Sequence, residues 1–179
     1  MKKLLSEKVA IPEGVSCSYD NGILKVQKSQ HSLSRQILIP GIELSISNNE
    51  IILTAKKGSK KEFNIIKSYL AHISNLFMGL DKEFTYNLEA CNVHFPMTLK
   101  LDKDSLSISN FLGEKIPRKA KILPNVKVDI KGQKITLTSR DKESIGQTFA
   151  NIEKATKVRN RDRRIFQDGI FLVSKEVLA

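Results

Sequence analysis

The chain has 179 residues, 40% hydrophobic and 27% charged, which supports a packed core and excludes a disordered chain. Its formal net charge of +11 favours nucleic acid or an anionic surface as partner. Two cysteines, Cys17 and Cys91, lie far apart and outside any Cys-x-x-Cys pair, which excludes a disulfide framework and a zinc site.

The opening Met-Lys-Lys-Leu-Leu has the start of a secretory leader, but Ser6, Glu7 and Lys8 interrupt it. No window approaches the roughly 18 apolar residues of a membrane span. The expectation is a soluble, cytoplasmic protein with no membrane partner. Val15, Cys17 and Tyr19 alternate with Ser16 and Ser18, as in a strand with one buried face. Asn21-Gly22 predicts a type I′ hairpin, and Asn48-Asn49 and Gly132-Gln133 mark later ones. Lys56-Lys57-Gly58-Ser59-Lys60-Lys61 lacks the spacing of a phosphate loop and reads as a solvated turn before a helix. In that helix Phe63, Ile66, Leu70, Ile73 and Phe77 share a face, and Gly79 fits the residue after its end.

The chain then repeats itself. Pro40 to Ile46 lines up with Pro124 to Ile130 at a shift of 84, and Ile51-Ile52-Leu53-Thr54 continues onto Ile135-Thr136-Leu137-Thr138. Upstream, Val15 to Asp20 faces Met97 to Asp102 at a shift of 82. A second helix follows, with Ile145, Phe149, Ile152 and Thr156 on one face. Asp168-Gly169 turns into a last strand, Ile170 to Val173. The pattern predicts an α+β fold of two similar small domains from an internal duplication, each an antiparallel sheet with one packed helix. Residues 1–80 form the first module, 81–92 a connector and 93–179 the second.

Charge is uneven between the halves. Residues 1–90 hold twelve Lys/Arg and nine Asp/Glu, leaving +3, while residues 91–179 hold eighteen and ten, leaving +8. The densest run is 154–164, with Lys154, Lys157, Arg159, Arg161, Arg163 and Arg164 against one anion, Asp162. Arginine presents a planar fork that matches phosphate oxygens, so this run points to a phosphate backbone. Arg159, Arg161 and Arg163 alternate and would share one side of an extended segment. Asp162 can pair with a neighbouring arginine. The end of the first helix, Phe77-Met78-Gly79-Leu80, has no arginine, so the fold alone does not require them. A second basic group, Lys115, Arg118 and Lys119, follows Asn110 to Glu114 and reads equally well as an ordinary hairpin loop. His31, His72 and His94 are isolated, and no nucleophile, acid–base or metal constellation occurs, so neither an enzyme nor a cofactor or metal site is expected.

The string from Ile152-Glu153-Lys154 through Arg163-Arg164-Ile165-Phe166-Gln167-Asp168-Gly169-Ile170-Phe171 resembles the C-terminal signature of the large-subunit ribosomal protein six family, in its archaeal and eukaryotic branch. Asn110-Phe111-Leu112-Gly113-Glu114 is similar to a second stretch of that branch, and Ile11-Pro12-Glu13-Gly14-Val15 resembles the family's first strand. The chain departs at Asn160, where lysine is frequent, and at Phe171, where tyrosine is. The resemblance implies a non-catalytic constituent of the large ribosomal subunit that binds its rRNA, chiefly through the C-terminal domain. It implies a position near the sarcin–ricin loop and the base of the factor-binding stalk. Neighbouring ribosomal proteins would be partners there, with translational GTPases as further candidates. By position, the rRNA contacts would be Lys154, Lys157, Arg159, Arg161, Arg163 and Arg164, with Lys115, Arg118 and Lys119 in addition. The rival expectation is a free-standing RNA-binding adaptor or chaperone.

Overall fold

The computed structural model describes residues 3–47 and 49–177. Asn48 of the expected Asn48-Asn49 turn, and the Met1-Lys2 start of the leader-like opening, lie outside the described residues. The chain divides into two compact units, Met1–Asp81 and Lys82–Ala179. No helix among the described residues is long and apolar enough to cross a membrane.

The first unit runs β1 (Lys3–Ala10), β2 (Ser16–Asp20), β3 (Ile23–Lys28), β4 (His31–Gln36), β5 (Glu43–Ser47), β6 (Glu50–Gly58) and α1 (Lys60–Asp81). It holds two three-stranded antiparallel sheets, ordered β1-β6-β5 and β2-β3-β4, where the sequence pattern predicted one. Asn21 and Gly22 both have positive φ, 48° and 77°, as a type I′ turn requires. Leu24 and Val26 of β3 and Ile51, Leu53 and Ala55 of β6 are fully buried. α1 touches both sheets. Its N-terminus is a capping box: Lys61 N donates to Ser59 Oγ (3.2 Å), and Ser59 N donates to Glu62 Oε2 (2.8 Å). Hydrogen bonds from the Ser59 hydroxyl and then the Ser59 backbone N–H hold the Glu62 carboxyl below the usual carboxylate range. The lysine run 56–61 is therefore a strand end and a helix start, with Lys56 paired to Glu43 at 2.6 Å. Gly79 does not end the helix. The buried stripe Ile73–Leu76–Phe77 continues to Leu80, and its packing carries α1 past the glycine to Asp81.

The second unit runs β7 (Phe84–Cys91), β8 (Thr98–Leu101), β9 (Ser105–Ser109), a 3₁₀ turn (Phe111–Gly113), β10 (Arg118–Lys121), β11 (Lys127–Lys131), β12 (Lys134–Ser139), α2 (Lys142–Ala155) and β13 (Gly169–Val177). Its sheets are β11-β12-β7-β13 and β10-β9-β8. The expected connector is thus a strand inside a sheet. β7 pairs with β12 on one side and β13 on the other, and buries Phe84, Tyr86, Leu88 and Ala90. Register identifies β7 as the counterpart of β1. Val9 faces Ile51, and Leu88 faces Ile135, the residue 84 positions after Ile51. The duplication therefore includes the first strand of each unit, and the fold is α+β with two units of one plan, each carrying a single helix among the described residues. Among the described residues, β13 has no counterpart in the first unit.

Candidate nucleic-acid interface

The two helices differ where the basic run begins: α1 has 22 residues and α2 has 14. Asp141 caps the start of α2, accepting from the backbone N–H groups of Glu143 (3.0 Å) and Ser144 (3.3 Å). The helix ends at Thr156, which is 3% exposed. Thr156 Oγ1 lies 3.3 Å from the Ile152 and Glu153 carbonyls and accepts from Ile170 N at 3.1 Å. One hydroxyl therefore ties the end of α2 to the start of β13. The chain between them, 157–168, closes as a loop rather than continuing as helix.

Each end of that loop is anchored. Val158 is buried, so Lys157 and Arg159 on either side of it are exposed. Asp168, 5% exposed, accepts from Val93 N at 3.1 Å. Arg118 reaches in from β10: its Nη1 donates to the carbonyls of Ala155 (2.8 Å) and Lys157 (3.3 Å). The first is an orphan carbonyl of the helix C-terminus and the second lies just beyond it, where a cation is favourable. The same guanidinium grips Glu114 through Nε (2.8 Å) and Nη2 (2.6 Å) and lies over the Phe111 ring, 4.3 Å from its centroid. The hydrogen bond from Arg118 holds the Glu114 carboxyl below its ordinary range, with the Arg118 and Arg161 charges adding to it. Arg118 is thus a strut inside the unit, with most of its donors engaged. It was expected among the phosphate contacts, and its partners lie 4 to 39 positions away in sequence.

The alternating arginines do not form an extended row. Asn160 has φ 56°, which reverses the chain, and the Asp162 carbonyl accepts from Ile165 N (3.2 Å) and Phe166 N (2.9 Å) to close a turn. Asp162 Oδ1 also accepts from Arg164 N at 2.9 Å, and its carboxylate pairs with the Arg164 guanidinium at 2.9 Å. Asparagine and aspartate suit these positions because they tolerate left-handed backbone or bond to it locally. The Arg164 hydrogen bonds hold the Asp162 carboxyl below the usual range. Arg161 turns elsewhere, its guanidinium 4.8 Å from the Phe166 ring centroid.

The result is an open cleft of about 1190 Å³. Lys154, Lys157, Arg159, Arg163 and Arg164 line it, with Phe171 and the carboxylates of Glu153 and Asp168. Gly169 lies in its lining under the Phe171 ring, where a Cβ would come within 2.9 Å of Phe171 Cζ unless that half-exposed ring moved. Five of the six cations predicted from the run share this concavity, and all five are exposed. Lys115 is exposed on the loop before β10, and Lys119 is exposed on β10 itself. The anchors Thr156 and Asp168 were missed as parts of the site, although a buried hydroxyl and a buried carboxylate flanking a basic run are legible as fasteners. No group of three or more His, Cys, Asp or Glu suited to a metal occurs among the described residues.

A family model described as Ribosomal protein L6 matches residues 95–169, a span that contains the five cleft cations and the Arg118 strut. The chain is 41% identical over 172 residues to Large ribosomal subunit protein uL6 of Methanobrevibacter smithii, covering 96% of this chain and 97% of that protein. It is 40% identical over 167 residues to the protein of the same name from Methanospirillum hungatei, covering 93% and 95%. It is 37% identical over 175 residues to the one from Methanosarcina mazei, covering 98% and 99%.

Proposed function

The chain belongs to the ribosomal protein L6 family, and on that footing we propose that its second unit holds large-subunit rRNA by its phosphate backbone in the cleft beside the end of α2. The protein is a structural constituent of the large ribosomal subunit and not an enzyme. The observation that carries the binding reading is the convergence of Lys154, Lys157, Arg159, Arg163 and Arg164 on one concave surface with anchored ends. Neutralising phosphates releases condensed counterions, and a rigid loop supplies the cations already positioned. A-form RNA hides its base edges in a deep groove, so backbone and shape dominate over base identity in such contacts. Arg161 and Lys115 belong to the same interface as exposed flanking cations, Lys119 on β10 is a phosphate contact outside the cleft, and Arg118 acts through the loop it braces. From the family resemblance we further propose a position near the sarcin–ricin loop and the stalk base, with neighbouring ribosomal proteins and translational GTPases as partners.

The test is the salt dependence of binding to purified large-subunit rRNA. Replacing Arg159, Arg163 and Arg164 together with glutamine should lower the exponent of log affinity against log salt by about 2 to 3, at roughly 0.7 to 0.9 for each phosphate no longer neutralised. Circular dichroism should show the fold intact. An unchanged exponent in a folded triple variant would remove the cleft from the interface.

A further inference from the structure

The outer face of the sheet β10-β9-β8 carries a second cationic surface that the basic run does not include. Leu106 and Ile108 of β9 point into the core, so Ser105, Ser107 and Ser109 lie on the opposite face. Strand pairing places Lys100 opposite Ser107, and Ser107 opposite Lys119. The next rows add Thr98 opposite Ser109 and Lys121 opposite Ser105. Lys100, Lys119 and Lys121 are exposed, and among the described residues none forms an ion pair with a carboxylate. The carboxylates of Asp102 and Asp104 sit in the β8–β9 turn, at one end of the face. The central strand thus forms a floor of short hydroxyls between a wall holding Lys100 and Thr98 and a wall holding Lys119 and Lys121. The walls stand two strand spacings apart, about 10 Å.

We infer that this face is a second phosphate-backbone site, separate from the cleft, in which the serine hydroxyls donate to phosphate oxygens while Lys100, Lys119 and Lys121 flank them. The inference rests on the rRNA-binding reading above. Two observations favour a polynucleotide over an acidic protein segment. Protein–protein surfaces are anchored by apolar or aromatic residues at their centre, and the centre of this face is all serine. Phosphate contacts need no such anchor, only positioned donors and positive charge. The first unit provides an internal comparison. Its equivalent row is Ser18–Lys25–Ser34, with one lysine in the middle and serines on the flanks. The two-walled arrangement is therefore a property of the second unit and not a requirement of the shared fold.

The experiment uses the full chain and purified large-subunit rRNA across about 50 to 200 mM salt. Converting Lys100, Lys119 and Lys121 together to glutamine should lower the salt exponent by about 2 to 3, and this loss should add to that of the cleft triple variant. A control with Lys127, Lys131 and Lys134 converted to glutamine removes the same charge from the β11–β12 hairpin and should leave the exponent unchanged. Ser107→Glu keeps every lysine and should weaken binding several-fold, with an unaltered circular dichroism spectrum. If the lysine triple and Ser107→Glu both bind as the unmodified protein does while the cleft triple loses its share, the inference fails and the rRNA reading stands. A control triple that loses as much as the lysine triple would also overturn the inference, because bulk charge would then explain the effect. Unchanged RNA binding by the lysine triple together with lost binding of an acidic ribosomal protein would assign the face to protein instead. If no variant of either site changes the exponent, the rRNA reading itself falls with the inference.

Discussion

Arg118 lies in a basic stretch, yet its guanidinium faces protein: a carboxylate, two backbone carbonyls and an aromatic ring. An arginine so engaged orders the segment around it rather than neutralising phosphate. Arg118→Ala should therefore destabilise the second unit by about 1–3 kcal/mol in urea unfolding, because the Ala155 and Lys157 carbonyls and Glu114 lose their partner. Arg118→Lys should recover only part, since an ammonium cannot reproduce the planar fork. Both variants should weaken rRNA binding while leaving the salt exponent unchanged, which separates a brace from a contact. Sequence alone does not distinguish Arg118 from Lys119 beside it. Their roles diverge because β10 turns Arg118 toward the inner side and Lys119 outward, and Arg118's carbonyl partners come from the end of α2 and the residues after it, 37 and 39 positions away. The exposed cations of 154–164 were legible, because charge density in a local run needs no tertiary information. Their alternation was misleading, because Asn160 and the Asp162 turn break the extended geometry that the reading assumed.

At the level of elements, the period-two pattern located β2, the internal repeat located β5 and β6 with β11 and β12, and the Asn21-Gly22 turn was read from its residues alone. β7 was missed although Phe84, Tyr86, Leu88 and Ala90 alternate cleanly with Thr85, Asn87 and Glu89. The repeat hid it: β1 and β7 match at a shift of 79, whereas the following strands match at 82, so the register breaks in the loop between them. β1 itself, Lys-Leu-Leu-Ser-Glu-Lys-Val-Ala, carries little apolar signal. The different helix lengths have a physical cause in the second unit, where Thr156 trades helix continuation for a bond to β13. Thr156→Val removes that hydroxyl at nearly constant volume and leaves Ile170 N buried without its acceptor. The expected loss is about 1–3 kcal/mol of stability, the penalty for an unsatisfied buried donor. Amide exchange should locate the loosening: faster exchange at Ile170 and through 157–168, with β9 and β12 still protected. Uniform acceleration across the unit would mean that Thr156 supports the core as a whole and not the loop.

On the scale of the whole chain, the two units differ in what was added to a common plan. Each has its own buried cluster: Leu24, Ile51, Leu53, Ile66 and Ile73 among others in the first, and Leu106, Ile108, Ile135, Leu137 and Ile145 among others in the second. The second gained β13 and the anchored arginine loop, and it carries most of the net charge. Binding and folding should therefore separate along the chain, provided the cut respects β7. A fragment of residues 82–179 keeps β7 between β12 and β13, so it should fold alone and bind rRNA with a salt exponent close to that of the full chain. A fragment of residues 93–179, cut at the boundary that the sequence pattern proposed, lacks the strand joining β13 to β12. It leaves both strands with unpaired edges and removes Phe84, Tyr86, Leu88 and Ala90 from the core. It should be unfolded or aggregated, as circular dichroism and sedimentation would report. Residues 1–81 should fold and bind rRNA weakly. Tight binding by that fragment, or a folded and active 93–179, would show that the load on rRNA is carried by something other than the cleft that β7, β13 and α2 hold in place.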